Sequence, residues 1–206
     1  MGIDENVDGI GLGAVTTLDE REARALLRER LGAGARYDSP AAPACELAWA
    51  RRGTAYFARK LNELPDEALD APSLAAGWSR RHVIANVGYN ARALARLVEA
   101  ARHGAVEEVL AEPEYQNEEI SFGATLPSHA LRYLFKHSAV HLNVEWRDLP
   151  DDRWPAEIRA LDGRIVKIRE TPWLRASEVW LRAIDLDNGG SFLDFPPDFV
   201  DQLLDG

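Results

Sequence analysis

Apolar residues recur with helical spacing along most of this chain, and the breaks between those stretches fall at proline and glycine. From Ala42 to Leu64 the positions Leu47, Ala50, Tyr56 and Leu61 line one face, which predicts a long amphipathic helix. Ser79 caps a second helix that runs to Gly104, with Val83, Val87, Leu94 and Leu97 on its buried side and the glycine as its stop. A third spans Ser128 to Leu149, where Leu131, Leu134, Phe135, Ser138, Leu142 and Trp146 form the apolar face and Pro150 ends it. The fourth covers about Ala176 to Asp187, within the helix-prone stretch Thr171 to Asp187, and Asn188-Gly189-Gly190 breaks it. Pro196-Pro197 then leads into a short terminal helix ending at Leu204.

Other patterns fill the intervals. Ala156 to Ala160 and Arg164 to Ile168 have strand character and flank Leu161-Asp162-Gly163, whose Asp-Gly pair signals a hairpin. Leu64 to Trp78 is a polar, proline-containing connection, and Glu112 to Ala124 reads as an irregular loop. Ahead of the bundle, Met1 to Thr17 is a glycine-rich arm, and Leu18 to Leu31 is a short helix stopped by Gly32 and Gly34. The expectation is a mainly α protein: a four-helix bundle domain over 39–206, carrying one small β-hairpin, preceded by an arm and extra N-terminal helix over 1–38.

Composition narrows the function classes. A length of 206 residues with 46% hydrophobic content supports one main core. A formal charge of -10 argues against nucleic acid, whose phosphates need a basic face, and against an anionic membrane surface. No apolar run is long enough to span a bilayer, and MGIDENVDGIGLG lacks the basic and apolar regions of a signal peptide, so a cytoplasmic location is expected. The one cysteine, Cys45, excludes an intramolecular disulfide and any CxxC motif, and reads as a small buried hydrophobe. Lys60, Lys136 and Lys167 are the only lysines, an arginine bias that suggests a GC-rich genome.

Two constellations carry candidate chemistry. Glu178 and Arg182 stand one turn apart on the fourth helix and aim at one interior point. A histidine at the second position would read as half a metal site, whereas arginine keeps a permanent charge and ligates no cation. On the third helix, KHSAVHLNVEWRD places His137, His141 and Glu145 at i, i+4 and i+8. Relative to the apolar face Glu145 lies inward, His141 at the flank and His137 further out, so the three diverge and His141 with Glu145 reads better as an acid/base pair than as a zinc site. Trp78, Trp146, Trp173 and Trp180 line either the core or an apolar substrate pocket.

Three blocks add a resemblance: LPDEALDAPSLAAGWSRRHVIANVGYNARAL, LPDDRWPAEIRALDGRIVKIRETPWLR and SEVWLRAIDLDNGGSFLDFP. In the order and spacing of Gly77-Trp78, Asn90, Trp173 and Glu178-Val179-Trp180, the chain resembles the mycothiol-dependent maleylpyruvate isomerase family of the DinB-like metalloprotein superfamily. The resemblance implies a DinB-like four-helix bundle with a divalent metal, typically zinc, held by a His of the second helix and by a Glu and a His one turn apart in the fourth. Carried over, the Glu is Glu178, its partner falls on Arg182, and the second-helix His falls on Asn86, in HVIANV where family members read like HVLAHL. One ligand of three is kept, and His82, one turn earlier, does not replace the missing ones. Asp185 matches a common family position and reads as structural. Family members commonly continue into a C-terminal domain that contributes to the thiol and substrate site, whereas this chain stops at Gly206. Zinc and mycothiol are thus the family's cofactors, and neither is expected here.

The resulting expectation is a metal-independent enzyme of isomerase or lyase type, acting on a small anionic or carbonyl-bearing metabolite in a specialised pathway. Arg182 would stabilise developing negative charge, Glu178 would orient it or move a proton, and Asn86 and His141 would supply hydrogen bonds. Tyr89, Asn90, Trp173 and Glu145 would contact the substrate. Two alternatives stand beside it: a non-catalytic binding or interaction protein, and a thiol-dependent metal isomerase with unusual ligands. A homodimer packed through Leu18 to Leu31 is left open.

Overall fold

Several of the helix ends are set by local devices in the sequence. The structure, a computed structural model, describes residues 38–104, 113–159 and 165–205, together with Glu22 and Leu26. Helix α1, Ala44–Asn62, starts behind Pro43 and ends with Arg59 and Lys60 in its last turn, where positive charge complements the helix dipole. Helix α2, Arg80–His103, opens with a reciprocal capping box between Ser79 and His82 and closes at Gly104 in a left-handed turn. Helix α4, Ser128–Asp148, follows the shorter α3, Pro113–Ala124, and gives way at Leu149 to Pro150. Strands β1, Glu157–Arg159, and β2, Ile165–Lys167, pair antiparallel with Ile158 opposite Val166. Helix α5, Thr171–Asp185, carries Pro172 in its first turn, and α6, Pro197–Asp205, follows it.

Helix α1 packs on α5, α2 packs on α4, and α2 also touches α5, which joins the two pairs into the expected mainly helical bundle. Phe57 of α1 meets Phe135 of α4 with ring centroids 5.0 Å apart. Between α1 and α5, Trp180 stacks on Tyr56 at 5.0 Å and donates from Nε1 to the Trp49 carbonyl at 3.1 Å. A Cβ at Gly53 would lie 2.6 Å from Val179 Cγ2, so α1 and α5 approach this closely only because that position is bare. Trp146 reaches across to α5, donating to Thr171 Oγ1 at 3.0 Å. Trp146 and Trp180 are therefore core residues, while Trp78 and Trp173 are half-buried.

Several expectations are corrected. Glu112 to Ala124 is not an irregular loop: from Pro113 onward it is α3, held on α2 where Gly123 abuts Tyr89 and Ala85, at a separation no side chain would tolerate. Its sequence has a weak apolar stripe, with Ile120 the main buried hydrophobe, so periodicity did not mark it. Cys45 is exposed, because it sits in the first turn of α1 ahead of the buried stripe that starts at Leu47. The strands are shorter than expected, and the Leu161-Asp162-Gly163 turn lies outside the described residues. So does the Met1 to Thr17 arm, and of the Leu18 to Leu31 helix only Glu22 and Leu26 are described, both helical and exposed. Residues Asp38–Gly206 cluster as one unit. Among the described residues no helix is long and apolar enough to cross a membrane.

Candidate active site between α2 and α5

The register of α5 against α2 is set by Arg80, which donates to the Leu186 carbonyl at 2.7 Å and the Asp187 carbonyl at 2.7 Å, satisfying groups at the C-terminal end of α5. The same side chain reaches the Ala68 carbonyl at 3.1 Å. The N-terminus of α2 is thereby held at the C-terminus of α5, and the facing turns run in opposite directions. Residues 175, 178 and 182 then fall on the α5 face turned toward α2.

Asn86 Nδ2 donates to Glu178 Oε1, and Arg182 Nε donates to the same oxygen at 2.9 Å. Arg182 Nη1 donates in turn to Asp185 Oδ2 at 2.7 Å, so two carboxylates on one helix face hold one guanidinium. Burial works against the charge of Arg182, but Glu178 and Asp185 outweigh it and hold its pKa above the ordinary value. The side chains remain 30% exposed for Arg182 and 23% for Glu178, so a small molecule can reach them. Trp78 covers the group, with Arg182 Cζ 5.3 Å from its ring centroid. It is placed by the segment ahead of α2, where Pro72 bridges Ser79 and Leu74 donates to the Asp185 carbonyl at 3.0 Å.

One turn below Glu178, Arg175 is buried, and it donates from Nη1 to the Val87 carbonyl at 2.7 Å and to Asn90 Oδ1 at 2.9 Å. Burial lowers its pKa to about 10 while Glu178 opposes the shift, so it stays charged at neutral pH. Its Nη2 is buried without a hydrogen-bond partner. Sequence reasoning passed over Arg175, although its place three residues before Glu178 puts both on one face. Asn90 therefore belongs to the wall of this site, as the acceptor that holds Arg175.

The other expected site residues lie elsewhere. Glu145 is buried, 3.2 Å from Arg102 Nη2 and 3.4 Å from His141 Nε2. Arg102 is sixteen residues beyond Asn86 on α2, about 24 Å at 1.5 Å per residue, so this ion pair stands at the other end of the bundle. Tyr89 packs on α3 beside Gly123 with Arg92 over its ring, and burial raises its pKa. Trp173 packs edge-on against Trp49 at 6.0 Å and lines a separate open hollow of about 240 Å³ with Glu46, Arg169, Glu170 and Gln202. The geometry thus joins Asn86, Glu178, Arg182 and Asn90, and parts them from His141, Glu145, Tyr89 and Trp173.

The donor set does not fit a divalent metal. One carboxylate oxygen already takes two hydrogen bonds, an amide supplies a weak donor, and a guanidinium places a full positive charge 2.9 Å from the Glu178 carboxylate and 2.7 Å from that of Asp185. Among the described residues no three His, Cys, Asp or Glu side chains gather as a metal site.

The family model described as the mycothiol maleylpyruvate isomerase N-terminal domain matches residues 50–187. The chain is also similar to crystal structures of the mycothiol-dependent maleylpyruvate isomerase and of a histidine-to-alanine mutant of it. Each is 40% identical with a TM-score of 0.74, over 77% of this chain and 66% of the solved one. The chain thus spans just under two thirds of that enzyme's length, and no curated protein matches. With the helical pairing, the Trp78 segment and the Glu178 face all falling inside the matched region, this chain belongs to the mycothiol maleylpyruvate isomerase N-terminal domain family, on a DinB-like helical fold.

Proposed function

We propose that the chain is an isomerase-type enzyme for a small anionic or carbonyl-bearing metabolite, working without a divalent metal, with Arg182 supplying the positive charge of the site. The observation that carries this reading is the Arg182 guanidinium seated on Glu178 Oε1 at 2.9 Å, with Asn86 on the same oxygen. Arg182 uses Nε and Nη1 internally, and its Nη2 makes no hydrogen bond among the described residues. That nitrogen is the group available to a carboxylate or to an oxygen on which charge develops as a neighbouring double bond rearranges. Glu178 and Asp185 act by orienting the guanidinium, which spares the site the entropy of ordering a long side chain during reaction. A location inside the cell belongs to the same reading.

The test is turnover of maleylpyruvate and of a panel of keto acids and unsaturated dicarboxylates, with and without mycothiol and a chelator. Activity indifferent to chelator is expected, and Arg182→Ala should lower it by about 10²–10³-fold, the usual cost of removing a charge-stabilising donor. The melting temperature of that variant should stay close to wild type. Activity abolished by chelator sinks the metal-free reading, and full activity in Arg182→Ala sinks the role of the arginine. The mutual pairing of Asn86, Glu178, Arg182 and Asp185 supports the alternative of a non-catalytic binding protein. Ligand binding without turnover across the panel would favour it.

A further inference from the structure

His82 is the third residue of α2, and its Nδ1 receives the Ser79 backbone N–H at 3.3 Å and lies 2.8 Å from Ser79 Oγ. A ring nitrogen that accepts a backbone N–H carries no proton, so the neutral imidazole holds its hydrogen on Nε2. Nε2 makes no hydrogen bond among the described residues, and the ring is only half-buried. Its plane is set by Trp78, which stacks on it at 6.3 Å and 26°, and the same indole underlies Arg182 at 5.3 Å. His82 also lies one turn before Asn86 on α2, on the face that meets α5. A capping role alone needs only Nδ1, and Glu or Gln is the ordinary residue for it. Histidine at this position adds a fixed donor on the indole that also underlies Arg182.

We infer that His82 is a ligand-contacting residue of the site, presenting Nε2–H to a carbonyl or carboxylate oxygen of the molecule whose anionic end pairs with Arg182. This rests on the functional reading above and adds to it a second recognition point: the ligand carries two oxygen acceptors, one for His82 and one for Arg182. Pyruvate, which has a carboxylate next to a keto oxygen, is the simplest probe of that class.

The experiment uses the full chain labelled with nitrogen-15 histidine, with the His82 ring signals assigned by their loss in His82→Gln. The expected spectrum shows the Nε2–H tautomer before ligand is added and a saturable shift of the Nε2 signal as pyruvate is titrated. His82→Glu keeps the cap and His82→Leu is uncharged, but neither has a donor, and each should weaken pyruvate binding about tenfold, the scale of one hydrogen bond to a charged or polarised oxygen. His82→Gln, which keeps both cap and donor, should stay within about twofold of wild type. A proton found on Nδ1 overturns the inference whatever the function. Binding lost in Arg182→Ala but unchanged in His82→Glu and His82→Leu overturns it while leaving the functional reading intact. Pyruvate that fails to bind wild type, or binds Arg182→Ala equally well, overturns both.

Discussion

A guanidinium in place of an imidazole alters the charge of a bundle interior more than its shape, and Arg182 turns on that difference. Its neighbours Glu178 and Asp185 already carry the negative charge that a cation would use, and Arg182 satisfies it permanently. Asn86→His together with Arg182→His would place two imidazoles around the Glu178 carboxylate. That set has the N/O donors zinc prefers. The double variant is expected to purify with about one zinc per chain, while wild type carries far less than one, as read by elemental analysis. Stoichiometric zinc on wild type at Glu178, or none on the double variant, would contradict the account. The Glu178 and Arg182 pair was legible in the sequence because i and i+4 on a helix fix a contact without help from the rest of the chain. Arg175 was not, since an arginine in a linear sequence reads as solvated. Its burial follows from the Val87 carbonyl and Asn90 that α2 presents to it.

Between elements, the closest approach is α1 against α5 at Gly53. An alanine there gains about 1 kcal/mol of helix propensity. Its Cβ would also stand 2.6 Å from Val179 Cγ2 and 2.7 Å from Trp180 Cδ1, both on buried side chains held by their own packing. Overpacking of this kind costs about 1–3 kcal/mol, so Gly53→Ala is expected to be net destabilising by up to about 2 kcal/mol in urea unfolding. A stabilised variant would mean that α5 yields without resistance. The long helices were legible because their apolar stripes are strong and their stops are local, at Gly104 and Pro150. Helix α3 was not, because it is held by its seat on α2 at Tyr89 and Ala85 and not by a stripe of its own.

Across the whole molecule, the segment after α5 is tied back to the start of the bundle. Tyr56 of α1 donates to Asp194 Oδ2 at 2.5 Å, and Asn188 donates to the Lys60 carbonyl at 3.0 Å. Burial, and then the hydrogen bond to Asp194, push the Tyr56 phenol up to about 12, above its unfolded value near 10. The folded state thus holds this proton more tightly, and the stability it contributes is whole below pH ~10 and is lost as pH rises toward ~12. Asp194 behaves oppositely: Tyr56 lowers its pKa, so its contribution is present above the ordinary carboxylate range and fades as pH falls through it. Urea unfolding from about pH 8 to 11.5 should show the wild-type advantage over Tyr56→Phe shrinking at the alkaline end. An advantage that stays constant would remove Tyr56 from the tie. The sequence by itself determined the helical class, the long elements and the single Glu178 face, because helix periodicity and local capping depend on neighbours within a few residues. Only the tertiary structure decided which side chains share a site, bringing Asn86 to Glu178 and Trp78 to Arg182 and leaving His141, Glu145, Tyr89 and Trp173 apart. That decision rests on the register in which Arg80 and the packed core hold α5 against α2, and no spacing along one strand of sequence contains it.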